Sequence, residues 1–498
     1  IYVLDFKDLQ FGGKKMSTSS KLSARERIYR LLDDSSFVEI GAFVHARNTD
    51  FNMNSKKTPA DGVITGFGRI QDQLVYVYSQ DVSVLGGAVG EMHARKIRTV
   101  YELALKTGAP VVGLVDCAGM RLQEATDALN AFGELFHQQT LASGVIPQIT
   151  AIFGSCGGGM ALIPALTDFT VMTAEGGKLF INAPNTLDGN RAEICDTSSA
   201  VYQATESGTV DFVEATEEDA LAKVRELLSL IPANNMDGSW ILECEDDLNR
   251  EDESLAQTLD TRYILTSIAD DHKVCEVRKE YAPEMVTMFL RLNGRCTGAV
   301  ANCSETTDEA GRTEAKEAVL TTAAALKAEK FIRFCDAFSI PVLTFVNVKG
   351  FKATVEEEKT MGNAAAKLIG AYDQATVPKV TVIAGDAYGS AYLAMGSRHI
   401  GADMVYAYPK ARIGMMNPES AARIIYADEI GAAGDKQAFL REKTDEYDAL
   451  QTSPLSAASR GYVDDIIEPA ATRKRVIAAF EMLESKREGL PSKKHGTV

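Results

Sequence analysis

Residues 146–180, IPQITAIFGSCGGGMALIPALTDFTVMTAEGGKLF, decide how this chain is read. Pro147 opens an apolar, β-branched segment, Gln148–Phe153, whose length suits a buried strand. Gly154-Ser-Cys-Gly-Gly-Gly159 comes next as an expected glycine-rich turn, and Met160–Leu166 reads as a short helical run. Phe169–Thr173 is a second strand candidate that closes the unit. Strand, glycine turn and helix start together present backbone N–H groups backed by the positive end of a helix dipole. That arrangement suits an oxyanion hole, in which preorganised donors await charge developing on a carbonyl oxygen. Three consecutive glycines also permit tight strand–helix packing, and this window alone does not separate the two readings.

Outward from this stretch, residues 22–33 carry apolar residues at helical spacing. Val63–Ile70 and Leu74–Tyr78 flank a polar turn and predict a hairpin. Residues 89–107 have helical character, with Gly108 placed as a C-terminal cap and Pro110 beyond it. Val111–Val115 predicts a buried strand, then a turn over Asp116–Arg121 and a helix to about Leu141.

The pattern then repeats. A shift of 231 carries Pro110 to Pro341, Gly119 to Gly350, Pro147 to Pro378, Gly154 to Gly385 and Gly158 to Gly389. Ala109–Val115 matches Ile340–Val346, and Ile146–Ile152 matches Val377–Ile383. The hairpin recurs at Phe289–Val300 with a shift of 222, and the difference falls in a polar insert around Ser304–Thr313. Five such anchors in one register inside matching apolar runs point to an internal duplication. The expected architecture is α/β, in two tandem domains: an extension over 1–21, a first domain over 22–250 and a second over 251–498. The acidic segment 243–260 is expected as a solvated linker between them, and Pro491–Val498 as an exposed tail.

Length bounds this picture, because 498 residues exceed one ordinary domain. A net charge of −17 argues against a nucleic-acid footprint. No apolar run approaches the roughly 20 residues of a membrane helix, and no secretory signal is visible. The eight cysteines are scattered without a Cys-x-x-Cys pair, which suggests reduced thiols in a cytoplasmic protein and no structural zinc. Met16 is a candidate native start, since the chain opens on Ile1.

The motif Pro147-x-Ile149-x-Ala151-x-x-Gly154-x-Cys156-Gly-Gly-Gly159, with Thr167-Asp168 before the next strand, resembles the crotonase superfamily. Its members hold the enolate of a coenzyme A thioester with two backbone N–H groups. A narrower resemblance rests on LSARERIYRLLDDSSFVEIG (22–41), ADGVITGFGRI (60–70), AGMRLQEA (118–125), FIRFCDAFSIPVLTF (331–345), ATVPKVTVI (375–383), AYGSAY (387–392) and RGYVDDIIEPAATR (460–473). These segments are similar to the β-type carboxyltransferase subunits of biotin-dependent acyl-CoA carboxylases and decarboxylases.

That resemblance implies two tandem crotonase-like domains, the first on the acyl-CoA side and the second on the biotin side. It implies Gly158 and Gly159 as enolate donors, and Gly389, Ser390 and Ala391 as donors to the ureido oxygen of biotin. Family members usually carry Gly-Gly-Ala there, so Ser390 is a departure. Gly119, Met120 and Gly350 lie on companion loops around the substrate, and Leu393 borders the acyl group as an apolar wall suited to a short, unbranched chain. Lys56, Lys57 and Arg121 are candidates for the coenzyme A phosphates, and Gly86-Gly87 is a second, weaker candidate. Cys156 reads as a small buried filler ahead of a nucleophile.

The implied reaction moves a carboxyl group between carboxybiotin on a carrier protein and the α-carbon of a short-chain acyl-CoA, such as propionyl- or acetyl-CoA. It needs donors and water exclusion in place of a side-chain base, and the six histidines form no metal or nucleophile motif. No Met-Lys-Met attachment site is present. Biotin is therefore expected from a biotin carboxyl carrier protein, with a biotin carboxylase or a membrane decarboxylase subunit as further partner. No metal is expected, a homo-oligomer between dimer and hexamer is, and the site of action is cytoplasmic or peripheral to a membrane complex. Two alternatives carry distinct expectations. Run in reverse, the subunit serves a methylmalonyl- or glutaconyl-CoA decarboxylase sodium pump. An enoyl-CoA hydratase or isomerase instead needs a carboxylate base beside the first turn, for which Glu124 is the nearest candidate. A non-catalytic scaffold with decayed sites is a third, against which the intact glycines 158, 159 and 389 argue.

Overall fold

The computed structural model describes residues 21–190, 194–238, 241–307, 313–492 and 496–497. Residues 1–20 of the expected 1–21 extension, Met16 among them, and residues 493–495 and 498 of the expected tail lie outside these residues. The described chain forms two compact units, one ending at Met236 and one starting at Asp237.

In the first unit, strands β1 (Val38–Ile40), β2 (Val63–Ile70), β3 (Gln73–Gln80), β4 (Val111–Cys117), β5 (Gln148–Gly157), β6 (Phe169–Thr173) and β8 (Phe212–Glu214) lie in that order, with β7 (Lys178–Phe180) paired to the end of β5. The pairs β1–β2 and β2–β3 are antiparallel; from β3 onward neighbours are parallel. The near-continuous Val/Ile/Leu runs of β4 and β5 result from being covered on both faces. Helix α1 (Ala24–Leu31) opens with a Ser23–Glu26 capping box. Helix α2 (Glu91–Thr107) buries Ala94, Ile97, Val100, Tyr101 and Ala104 along one stripe. It ends at Gly108, whose left-handed φ of +64° lets its N–H reach Ala104 O. Helix α3 (Ala125–Ala142) packs beside it.

The second unit repeats this order strand for strand: β9 (Val274–Val277), β10 (Met285–Leu292), β11 (Arg295–Asn302), β14 (Val342–Val348), β15 (Lys379–Tyr388), β16 (Met404–Ala407) and β18 (Asp465–Ile466), with β17 (Arg412–Gly414) on the end of β15. Helices α4 (Thr261–Ile268), α5 (Thr322–Ala337) and α6 (Met361–Gln374) correspond to α1, α2 and α3. A separate two-stranded ribbon, β12 (Glu305–Thr307) and β13 (Thr313–Ala315), falls in the polar insert.

The duplication extends to side chains. Arg25 pairs with Glu39 at 2.6 Å, and Arg262 with Glu276 at 2.8 Å, one strand after the corresponding helix. Asp168 Oδ2 accepts from Gln148 N at 2.8 Å, as Asp403 Oδ2 does from Lys379 N. Two buried lysines, Lys96 on α2 and Lys327 on α5, stand at the 231 shift. Lys96 Nζ donates to the carbonyls of Ala60 and Val63, and Lys327 Nζ to those of Arg278 and Tyr281.

Two expectations change. Segment 243–260 is no free linker: Arg250 donates to Asp246, Ser267 O and Ala269 O, while Asp252 Oδ2 accepts from Ser267 Oγ at 2.6 Å. These charges belong to the second unit because they satisfy the C-terminal carbonyls of α4. The glycine turn after β5 is also shorter than expected. Gly154–Gly157 remains strand, because Ser155–Gly157 pairs with β7 and Cys156 with Cys117 of β4. Only at Gly158 does the chain turn into a short helical turn over Gly158–Leu162, ahead of the helix Ile163–Leu166.

Candidate functional site

Gly158 begins the turn at the end of β5 with φ +62°, and Gly389 begins the helix Gly389–Ala394 at the end of β15 with φ +61°. As the first residues of their helical turns, Gly158 and Gly159 carry N–H groups with no acceptor one turn back, and so do Gly389, Ser390 and Ala391. A Cβ at Gly158 would meet nothing within 4 Å, and one at Gly159 would touch the Phe132 ring at 3.5 Å. The first hole is therefore open above Gly158. The second is tighter, since a Cβ at Gly389 would lie 3.1 Å from Met415 O. Ser390 is exposed, Ala391 is buried and Leu393 is half-buried beside them.

The companion loops are held alike in both units, and the first approaches its turn. Gly119 holds φ +104° and approaches the first turn, where an added Cβ would be 3.4 Å from Gly157 O. Its carbonyl accepts from Val89 N at 2.9 Å and its N–H reaches Cys117 Sγ at 3.2 Å. Gly119 thus shapes the hole while its own N–H is engaged. Met120 bridges to Val89, and Arg121 N donates to Val89 O. In the second unit, Gly350 O accepts from Leu320 N at 2.9 Å, Phe351 bridges to Leu320, and Lys352 N donates to Leu320 O.

Arg121 departs from its expected role. Its side chain is 1% exposed and donates to Asp61 Oδ1 and Glu124 Oε1, each at 2.7 Å, and to Ala88 O at 2.9 Å. Its Nε–H has no partner, yet a guanidinium buried this deeply and paired with two carboxylates is closed to a phosphate from solvent. Its task is to tie together the 59–62 turn, the loop before α2 and the 118–124 loop. Lys56 and Lys57 remain exposed. Gly87 reads as packing, since an added Cβ would stand 2.3 Å from Asp116 O.

Glu124 is likewise spent internally. Beyond Arg121, its Oε2 accepts from Glu91 N at 2.6 Å at the start of α2. With both oxygens hydrogen-bonded and only 4% of the residue exposed, this carboxylate is ill placed to be the base that a hydratase reading requires. Near it, burial raises the carboxyl pKa of Asp61 and lowers the imidazole pKa of His93 from 6.5 to about 3, so His93 is neutral. His93 Nδ1 meets Asp61 O at 3.0 Å and Nε2 meets Gln80 Nε2 at 3.2 Å. Burial pushes the Cys156 thiol well above its usual range, which fits an inert filler. Among the described residues, no group of three or more His, Cys, Asp or Glu side chains is arranged to hold a metal ion.

Two polar residues not singled out from the sequence lie against the strands that lead into the turns: Asp116 against Gly154, and Asn347 against Gly385. They stand at the same 231 shift as the glycines, near the ends of two matching apolar strands. The repeat itself carries that signal.

Residues 16–498 match the family model described as Carboxyl transferase domain. The chain is 41% identical to methylmalonyl-CoA decarboxylase subunit alpha of Propionigenium modestum, over 97% of this chain and 94% of that one. It is 42% identical to the propionyl-CoA carboxylase carboxyltransferase subunit of Haloferax mediterranei, over 96% of this chain and 93% of the other. Its fold is similar to that of transcarboxylase 12S, a hexamer core solved with methylmalonyl-coenzyme A and methylmalonic acid bound, at TM-score 0.90 and 39% identity. That match covers 96% of this chain and 92% of that structure. The repeated strand order, the paired glycine turns and these likenesses together assign the chain to the carboxyl transferase domain family.

Proposed function

We propose that this chain is the carboxyltransferase subunit of a biotin-dependent acyl-CoA carboxylase or decarboxylase. It moves a carboxyl group between carboxybiotin, presented by a biotin carboxyl carrier protein, and the α-carbon of a short-chain acyl-CoA. The observation that carries this reading is the duplicated turn: two helix starts presenting backbone N–H groups at the ends of equivalent strands suit two carbonyl-bearing substrates. A single enolate reaction needs one.

In this reading the first unit takes the thioester. Gly158 and Gly159 donate to its carbonyl oxygen as the enolate forms, in the space left open above Gly158. The second unit takes the ureido group, whose oxygen fits the donors of Gly389, Ser390 and Ala391. Ser390 keeps the N–H that a glycine would supply, and its exposed side chain borders the ligand. Biotin supplies the carboxyl group and a nitrogen able to take the α-proton; the chain's own part is to stabilise two oxyanions and hold the partners in register. A further biotin carboxylase or membrane decarboxylase partner and a homo-oligomeric assembly belong to the same proposal, which the hexameric transcarboxylase 12S relative supports.

Purified protein incubated with methylmalonyl-CoA and free biotin tests it. Biotin-dependent release of CO2 and propionyl-CoA is expected, and its absence contradicts the reading.

A further inference from the structure

The two strands that deliver the turns carry the same irregularity. In the first unit Val115 of β4 faces Ile152 of β5, yet the next pair is Cys117 with Cys156. Asp116 alone therefore opposes Phe153, Gly154 and Ser155. In the second unit Val346 faces Ile383 and Val348 faces Ala387, so Asn347 alone opposes Ala384, Gly385 and Asp386. A bulge bends its strand and re-aims the chain beyond it. Gly158 stands four residues beyond Gly154, and Gly389 four beyond Gly385, so the bend sets the path into each turn. Bulges are rare between parallel strands, and this one occurs twice at one place.

The middle residue of each bulge is glycine because a side chain fills its Cβ position. An added Cβ at Gly154 would lie 2.0 Å from Asp116 Oδ1, and one at Gly385 would lie 2.5 Å from Asn347 Oδ1. Each polar side chain is itself held. Asp116 is 2% exposed; its Oδ2 takes Arg27 Nη1 at 3.5 Å and Lys21 Nζ at 2.8 Å. Arg27 is locked in turn by both oxygens of Glu217 and stacks over the Phe153 ring at 4.7 Å. Asn347 is 3% exposed and solves the same problem without charge. Its Oδ1 accepts from Asp386 N at 3.0 Å and its Nδ2 donates to Ser304 Oγ at 2.6 Å. The backbone N–H groups of both residues are fixed alike, Asp116 by Gln80 Oε1 at 3.3 Å and Asn347 by Asn302 Oδ1 at 3.4 Å.

We infer that Asp116 and Asn347 are the positioning residues of the two oxyanion turns: each seats the bulge that sets the direction of the donors beyond it. The inference rests on the proposed carboxyl transfer for its substrates. Neither residue touches a reacting atom. Their effect runs through the strand, and misplacement of the donors by an ångström costs roughly 100-fold in rate.

The full chain and its D116A, D116N and N347A variants test this in the methylmalonyl-CoA and free-biotin assay, with thermal unfolding recorded alongside. N347A is expected to lower kcat/KM for biotin at least about tenfold while the KM for methylmalonyl-CoA stays within about twofold. D116A is expected to do the reverse. D116N keeps an oxygen against Gly154 and leaves Arg27 paired with Glu217, so it restores most of what D116A loses. Variants within twofold of wild type in both parameters, or losses falling equally on both substrates and tracking the melting temperature, overturn the inference. Should wild type show no biotin-dependent turnover, the functional reading fails by itself. Crystal structures of D116A and N347A then decide the inference: displaced residues 158–159 and 389–391 support it, and turns left in place overturn it.

Discussion

Gly158 and Gly389 hold the same left-handed conformation, φ +62° and +61°, each on the residue after a strand that occupies the same place in its sheet. They differ in surroundings. Open space lies beyond Gly158, while Met415 O closes on Gly389. From this pair, replacement by alanine has two different costs. Gly158→Ala meets only the left-handed backbone penalty, roughly 1 kcal/mol. Gly389→Ala adds a contact at 3.1 Å that backbone must relieve. Thermal unfolding is expected to show the larger drop for Gly389→Ala, with Gly158→Ala folded but impaired in turnover because the methyl group enters the thioester's space.

Ser390 predicts a substrate-selective effect. Its side chain is exposed at the start of the helix after the second turn. Ser390→Gly is expected to shift the KM for free biotin and leave that for methylmalonyl-CoA unchanged. Ser390→Phe is expected to abolish biotin-dependent turnover while acyl-CoA binding, measured by calorimetry, persists.

The Arg121 cluster predicts a stability effect in place of a binding one. Arg121→Ala leaves Asp61 and Glu124 buried without their cation, a loss of about 3–5 kcal/mol. Denaturant titration is expected to register it. Arg121→Met, which also removes the charge, is expected to weaken coenzyme A binding only as far as it loosens the 118–124 loop. Glu124→Gln is expected to cost about 1–3 kcal/mol by weakening the bonds to Arg121 and Glu91 N. It leaves the pH profile of turnover in place, as no proton passes through this carboxyl.

His93 predicts acid sensitivity. Burial, with the charges of Arg121 and Lys96 nearby, depresses its pKa to about 3, although the Asp61 carbonyl beside its Nδ1 acts in the opposite direction. The unfolded chain therefore binds a proton that the folded one refuses. The associated stability is complete above the unfolded pKa near 6.5 and is lost as pH falls toward 3, at about 1.4 kcal/mol per pH unit. His93→Gln is expected to flatten this segment of the stability–pH curve.

The duplication is legible in the sequence because anchors such as Pro147 and Pro378, Gly154 and Gly385 are fixed by backbone geometry, which leaves the same residue type in both copies. Strand and helix positions are legible from apolar periodicity, as in α2 and β4. The bulges are not, because Gly154 in a glycine-rich run reads as turn until its neighbour in space, Asp116, is known. Arg121 misleads for a related reason. A lone arginine near a glycine loop suggests a phosphate, whereas its partner Asp61 lies sixty residues away in sequence. The acidic segment misleads because its charged residues find distant partners: Arg250 the carbonyls of Ser267 and Ala269 at the end of α4, and Asp246 the guanidinium of Arg473 in the helix Thr472–Met482. Partners distant in sequence are what a pattern along one chain does not display.

The central claim, an acyl-CoA hole in the first unit and a biotin hole in the second, is tested most directly by a crystal structure of this chain with methylmalonyl-CoA and free biotin bound. The account predicts the thioester carbonyl oxygen about 2.7–3.1 Å from the N–H groups of Gly158 and Gly159, with the ureido oxygen at residues 389–391. A thioester seated at Gly389, or bound away from both turns, would contradict it.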